Sequence, residues 1–414
     1  MQEIALGEIC TVITDGAHYS PPTVISEGQP IASVKDMTDY GINLSSCRLI
    51  SKDQFEILSE SGCKPEIGDV LIAKDGSYLK KVFVVKDSAD YVLLSSVGIF
   101  RPDTEKVNSY FLKYYFLNEE FRNHVTRGYV TGTALKRIVL DAFKRIKIHL
   151  PSLSEQNKIV SLIRPFDEKI RINLELIKQL EEYADVLFYK WFVDFNFPGL
   201  DEKPYRDNEG KMTELGKKVI PKGWELGILK DLGEIVGGAT PSTSNPENFT
   251  KSGIPWITPK DLSLDKSVYI SRGLTDITEL GYKSSSTKIM PIGSVLFTSR
   301  APIGYVAIAA EEVSTNQGFK SIVPFETVPS EFLYLLLKRL VPIIERNAGG
   351  TTFKEISTSG ISKIKIIKPS ELILKKFEKE VKPIFRKIKS AEKENKLLKE
   401  KRDLLIHQLV RCKP

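Results

Sequence analysis

The sequence predicts an α+β protein: two similar mixed α/β domains joined by two long antiparallel coiled-coil helices, with a pseudo-two-fold internal repeat. Three observations predict it. A heptad seam runs through residues 159–191, collinear matches relate the two halves of the chain, and the seam itself recurs near the C-terminus.

The first domain is expected over residues 1–150. Short apolar runs at 70–73, 82–86 and 91–95 read as strands beside the turn pairs Gly68–Asp69 and Asp75–Gly76. Residues 109–125 read as one helix with Phe111, Leu112, Tyr115, Phe116 and Phe121 on its apolar face. A last strand at 146–150 ends at Pro151.

The central helix is expected over 151–195. Ser152 and Glu155 have capping-box spacing, which starts it near Leu153. Ile159, Ile163, Phe166, Ile170, Asn173, Ile177, Leu180, Ala184, Leu187 and Trp191 then alternate steps of four and three. That is the pattern of a helix packed along its length against another. About 38 residues at 1.5 Å each make a rod of roughly 57 Å. Pro165 is expected to kink the rod or split it in two. Residues 196–224, polar and rich in Gly, Pro and Lys, read as a linker draped on the surface.

A second domain, 225–368, copies the first. Leu6–Gly7–Glu8–Ile9 returns as Leu232–Gly233–Glu234–Ile235. Pro30, Lys35 and Asp36 return as Pro255, Lys260 and Asp261, an offset of 255 − 30 = 225. Ile67–Gly68–Asp69–Val70–Leu71 returns as Ile292–Gly293–Ser294–Val295–Leu296 at the same offset. Gly132–Thr133 with Lys136 returns as Gly350–Thr351 with Lys354, an offset of 350 − 132 = 218. The drift is what a few loop deletions produce.

The second helix, 369–414, copies the rod at the later offset, with Pro165 answered by Pro383. Its seam is Phe377, Val381, Ile384, Ile388, Ala391, Asn395, Leu398, Arg402, Leu405 and Leu409. Two rods with one apolar seam each bury it most simply against each other. Asn173 and Asn395 are the polar seam residues that set register at some cost in stability. Pairing is expected to be antiparallel, because each domain feeds the start of its own rod and a two-fold places equivalent starts at opposite ends.

Composition excludes several classes. Sixty basic and 53 acidic residues give +7, which permits a nucleic-acid partner without demanding one. Cys10, Cys47, Cys63 and Cys412 are scattered, no CxxC pair exists, and four histidines cluster with nothing. A disulfide framework or zinc site is therefore not expected, and a reducing cytoplasm fits. No apolar run is long enough to span a bilayer, and Met1–Gln2–Glu3 does not open a signal peptide. No GxxxxGK[ST] loop is present. Asn245–Pro246–Glu247–Asn248–Phe249 lacks the second proline of an amino-methyltransferase turn and reads as a loop. Glu66, Asp69 and Lys74 read as surface turn chemistry rather than a nuclease site, since the repeat has Pro291, Ser294 and Ser299 there.

Two similar domains held apart by a paired rod suit a long, roughly two-fold ligand, and duplex DNA is the obvious one. Each domain would read one short sequence, with the rods setting an unread spacer.

At this point the chain resembles the specificity subunits of type I restriction-modification enzymes, over essentially its whole length. The resemblance rests on Leu150–Pro151–Ser152–Leu153–Ser154–Glu155–Gln156 before the central helix and Ile220–Pro221–Lys222–Gly223–Trp224–Glu225 before the second domain. It continues in Gly237–Gly238–Ala239–Thr240–Pro241–Ser242, in Ile254–Pro255–Trp256–Ile257–Thr258–Pro259–Lys260–Asp261–Leu262 and in Thr298–Ser299–Arg300–Ala301–Pro302–Ile303–Gly304. The first domain departs, with Thr14–Asp15–Gly16–Ala17–His18 in place of the Gly-Gly-Ala-Thr-Pro turn.

The resemblance implies two target-recognition domains and no catalysis in this chain. It also implies double-stranded DNA, two modification subunits and restriction/translocase subunits as partners, with S-adenosylmethionine, ATP and Mg on those partners.

Sequence readout needs cations, amides and hydroxyls at base edges and phosphates. Repeat equivalence narrows the candidates to Lys35, Lys74, Tyr78, Lys80 and Lys136 in the first domain. In the second they are Lys260, Arg300, Asn316, Gln317 and Lys354. Arg300 reads equally well as an ordinary salt-bridged arginine, and the lysine-dense C-terminal helix as a solvated face. Two rival readings remain at this point: a stand-alone DNA enzyme, and a protein-recruiting scaffold.

Overall fold

The computed structural model describes residues 2–74, 80–128, 130–131, 137–199, 202–215, 218–350 and 354–410. It divides into two compact units, one of residues 1–172 with 395–414, the other of residues 173–394. Both unit boundaries fall inside the long helices, so each unit contains one domain and a part of both rods.

In the first unit the core sheet is antiparallel, in the order Cys10–Asp15, Val97–Pro102, Val70–Ala73, Val82–Val84. All four residues of Val70–Ala73 are buried because the sheet is covered on both faces, which removes the polar alternation of a half-exposed strand. A second sheet runs Arg48–Ile50, Gln29–Ala32, Val92–Leu93, the last pair parallel. Phe100 meets Phe116 and Phe143 edge-on at 5.2 and 5.1 Å, joining sheet to helices. Where one helix was expected there are two, Ser109–Leu117 and Glu119–Gly128. Asn118 breaks the run: its backbone is extended, and its side-chain oxygen accepts from the amides of Glu120 and Phe121, capping the second helix.

The second unit repeats the scheme. Its main sheet runs Gly233–Gly237, Lys320–Pro324, Val295–Ser299, Ile303–Ala309, Tyr269–Ile270. The helix Ser330–Asn347 lies where Ser109–Leu117 does in the first. The Ser109 hydroxyl donates to the Gly68 carbonyl at 2.8 Å, and the Ser330 hydroxyl to Gly293 at 2.7 Å. Both domains also close on themselves, Gln2–Ala5 pairing with Lys147–Leu150 and Glu225–Ile228 with Lys365–Lys368.

The long helices span Leu153–Phe192 and Glu371–Leu409. Each runs unsplit through its proline, contrary to the alternative of two segments. Pro165 and Pro383 lie on exposed faces of the helices, where a carbonyl that loses its helical partner can bond water instead.

Within each unit the helices pack antiparallel. In the first, Val160 and Ile163 share a core with Ile406 and Val410, and Asp167 bonds Arg402. In the second, Trp191 meets Phe377 at 5.4 Å, Ala184, Phe385 and Ile388 join the same core, and Asn173 donates to Glu394 at 2.8 Å.

Of the expected seam, Ile163, Ile170, Asn173, Ile177, Ile388 and Asn395 are buried. Phe166, Leu180, Leu187, Ile384, Leu398 and Leu405 are half-buried, and Asp167, Phe188, Phe385 and Ile406 are the buried neighbours. At Phe166, Leu187, Ile384 and Leu405 the buried stripe is displaced by one residue, because the helices are covered by the domains as well as by each other.

The segment 196–224 is not draped. Phe197 stacks on Tyr205 at 4.5 Å and on Trp224 at 5.2 Å, and Met212–Leu215 forms a hairpin ladder with Lys218–Pro221. Its scattered aromatics carry the packing that its polar composition hides. Among the described residues no helix is long and apolar enough to cross a membrane.

Candidate nucleic-acid interface

In the second unit four loops meet at one end of the main sheet. Strand Val295–Ser299 leads into Arg300, and its last amide donates to the Gly318 carbonyl at 2.8 Å. The Ser299 carbonyl accepts from Ile356 at 3.1 Å, which draws in the chain around Glu355. Ala239 donates to Thr315 at 3.0 Å, bringing in the Gly-Gly-Ala-Thr-Pro turn. Gly238 is required there, because a Cβ would lie 2.1 Å from the Asn316 carbonyl oxygen.

Side chains bind the loops further. Glu355 lies 3.4 Å from Arg300 and 3.8 Å from Lys320. The Lys320 ammonium also donates to the Gln317 carbonyl at 3.5 Å, and the Thr240 hydroxyl bonds the Gln317 side chain. Burial pushes the Lys320 ammonium below its ordinary range, against the pull of Glu355. Arg300, Lys320 and Gln317 thus form one polar cluster with Glu355, and Asn316 adjoins it in the chain. Asn316 spends its side-chain oxygen on the Gly318 amide at 2.9 Å, so a base edge would be met by its NH2 donor. Lys260 and Lys354 are exposed.

Lys260 sits in the first turn of the helix Pro259–Leu264, and the first unit reproduces the cap of that helix as a plain turn at 34–36. Asp261 accepts from the Thr258 amide and hydroxyl at 2.7 and 2.6 Å. Asp36 accepts from the Ser33 amide and hydroxyl at 2.8 and 2.9 Å, with Lys35 in the place of Lys260 and exposed. Ala17 donates to Leu93 at 2.8 Å, as Ala239 does to Thr315. The two turns that differ in sequence are therefore the same turn, and a Cβ on Gly16 would lie 2.0 Å from the Leu93 carbonyl oxygen.

Lys74 is placed differently from its expected role. It is 3% exposed, and its ammonium is paired with the buried Asp15 carboxylate, which His18 also contacts at 2.9 Å. It occupies the position of Ser299: the Ile138 amide donates to its carbonyl as Ile356 does to Ser299. A side chain so committed braces the loop. Asp69, read as surface turn chemistry, is likewise fully buried and holds Arg101 at 2.9 Å. Lys80 is exposed at the rim of a cavity of about 230 Å³. Tyr78 and Lys136 lie outside the described residues. Among the described residues no group of His, Cys, Asp and Glu has metal-ligand geometry.

Sequence reasoning missed Thr240, Lys320 and Glu355. Thr240 was visible as part of the turn motif. Nothing in the local pattern marks the other two, whose meeting depends on sheet order.

Comparison with known proteins agrees with this architecture. The sequence profile of the type I restriction modification DNA specificity domain matches twice, at residues 1–182 and 221–400. The chain belongs to this family: it is a type I restriction-modification specificity subunit, a non-catalytic component. It is 47% identical over 166 residues to the type I restriction enzyme MjaIX specificity subunit of Methanocaldococcus jannaschii, a match spanning 40% of this chain and 38% of that one. It is 29% identical over 400 residues to the HindI specificity subunit of Haemophilus influenzae, spanning 83% of this chain and 86% of that one. In fold it is similar to the crystal structure of the type I restriction-modification S subunit from M. genitalium, with TM-score 0.56, 15% identity, and coverage of 100% and 96% of the two chains.

Proposed function

We propose that this chain reads a bipartite, asymmetric DNA sequence, one half-site per domain. It delivers that sequence to two adenine methyltransferase subunits and to restriction/translocase subunits in the cytoplasm. Residues 1–150 and 225–368 are the recognition domains, 151–195 and 369–414 the spacer helices, and 196–224 the connection between them. S-adenosylmethionine, ATP and Mg belong to the partners.

The observation that carries the reading is the repeated cap, Ser33–Asp36 and Thr258–Asp261, which presents exposed Lys35 and Lys260 alike while the residues of the neighbouring turns, Thr14–His18 and Gly237–Ser242, differ. A common frame with divergent loops is what two half-sites of different sequence require. Lys35, Lys80, Lys136 and Tyr78 are assigned to DNA in the first domain, and Lys260, Arg300, Asn316, Gln317 and Lys354 in the second. Lys74 is assigned to bracing.

The test is methylome sequencing of a host that expresses the chain with its modification partner. Modified adenines in one split motif are expected. Modification unchanged by replacing residues 1–150 with another such domain would refute the division of labour.

A further inference from the structure

The cluster in the second unit contains a carboxylate where an anion-binding surface has no use for one. Glu355 stands between Arg300, at 3.4 Å, and Lys320, at 3.8 Å. Glu355 and Arg300 are 40% and 38% exposed and form the open edge of the cluster, where a phosphate would approach, and Lys320, 13% exposed, lies beneath them. Backbone holds the carboxylate in place. Glu355 exchanges amide–carbonyl bonds with Gly349 at 3.0 and 3.1 Å, and the next amide is fixed on Ser299.

The internal repeat keeps an opposite-charge pair at these positions. By the offsets 300 − 75 = 225 and 355 − 137 = 218, Asp75 and Arg137 answer Arg300 and Glu355 with the signs exchanged. Asp75 and the Arg137 side chain lie outside the described residues, and the comparison is one of sequence.

We propose that Glu355 is a built-in counter-ion that sets specificity by screening Arg300 and Lys320 from DNA phosphates. This rests on the DNA-recognition reading. A phosphate that meets the cluster without further contacts faces the carboxylate as well as the cations, and gains little. A half-site that also satisfies Gln317 and Asn316 has base contacts to set against displacing Glu355 from Arg300. Discrimination is a difference of two affinities, and Glu355 lowers the non-specific one.

The test is Glu355→Gln in the full-length chain, titrated against a random-sequence duplex by fluorescence anisotropy over a salt series. The amide keeps the shape and removes the charge. Non-specific affinity is expected to rise roughly three- to tenfold at low salt, with the slope of log K against log salt steeper by about one. Adding Arg300→Ala should remove most of the gain. Affinity and slope equal to wild type would overturn the proposal. So would a loss of affinity, which would mean that Glu355 holds Arg300 ready for contact. Failure of the wild-type chain itself to bind duplex at low salt would instead sink the recognition reading.

Discussion

The Lys113 ammonium lies 2.5 Å from the Asp167 carboxylate, both fully inside the first unit, and the equivalent positions in the second hold an aromatic pair. Ser109 and Ser330 fix the offset 330 − 109 = 221, which takes Lys113 to Tyr334; the rod offset of 218 takes Asp167 to Phe385. Tyr334 and Phe385 meet edge-on at 5.8 Å. Arg402 completes the charged set at 3.0 Å from Asp167, and its repeat partner is the fully buried Ala184. The charged trio of one helix-to-domain joint is thus answered in the other by two aromatic rings and an alanine, with the Tyr334 hydroxyl bonded to Glu181.

Buried ion pairs are costly to break and often dispensable when replaced whole. Asp167→Ala leaves the buried Lys113 ammonium without its counter-ion, while Arg402 keeps Asp403 and Tyr40, and should destabilise the first unit by about 3–5 kcal/mol. The triple replacement Lys113→Tyr, Asp167→Phe, Arg402→Ala, which imports the second unit's residues, should be neutral or stabilising. Denaturant unfolding of the three variants measures both.

The two joints should respond oppositely to pH. Burial pushes the Asp167 carboxyl up, but Lys113 and Arg402 outweigh it and hold it below its usual 3.8. Its contribution is present above that value and lost as pH falls below it. In the second unit burial pushes Glu392 from 4.5 to about 7, against the Val268 and Tyr269 amides that donate to it and with Asp265 and Glu181 nearby. That contribution is full below about 4.5 and is lost as pH rises through about 7. Thermal melts from pH 4 to 8 should therefore show the second unit weakening as the pH rises, and Glu392→Gln should flatten that slope.

Lysines on the same domain should separate by role. Lys260→Ala and Lys35→Ala are expected to weaken duplex binding for all sequences and to reduce the salt slope by about one each. Lys74→Ala should leave the slope alone and lower the melting temperature, because it leaves the buried Asp15 carboxylate with His18 in place of a paired ammonium. Parallel binding and melting series distinguish the two outcomes.

Gly238→Ala should cost about 1–3 kcal/mol through overpacking at the turn, and weaken DNA binding while the rest of the unit stays folded. Gly16→Ala should act alike in the first unit. Hydrogen exchange at the Ala239 and Ala17 amides reads the local loosening directly.

Much of this was legible in the sequence for a physical reason. Packing repeats leave residues of the same kind at fixed offsets, so the duplicated domains and paired rods are visible without coordinates. What stayed hidden was chemistry that contradicts composition. Asp167 reads as a solvated helix residue, and Phe166 beside it as the seam, until Lys113 and Arg402 supply its counter-charges from distant sequence. Segment 196–224 reads as linker because its few aromatics are spread among polar residues, yet Phe197, Tyr205 and Trp224 find one another. Lys74 shares its pattern with surface cations, and only sheet order brings it to Asp15.

The ladders that close each domain have one more consequence. Gln2 pairs with Leu150 and Glu225 with Lys368, so the chain enters and leaves each domain on adjacent strands, about 5 Å apart. A genetic crossover at those two points exchanges every loop of the domain and must preserve four backbone pairs together with the packing of the domain on the long helices. On the proposed function, specificity would then be inherited as a block, while the frame that holds it passes on unaltered.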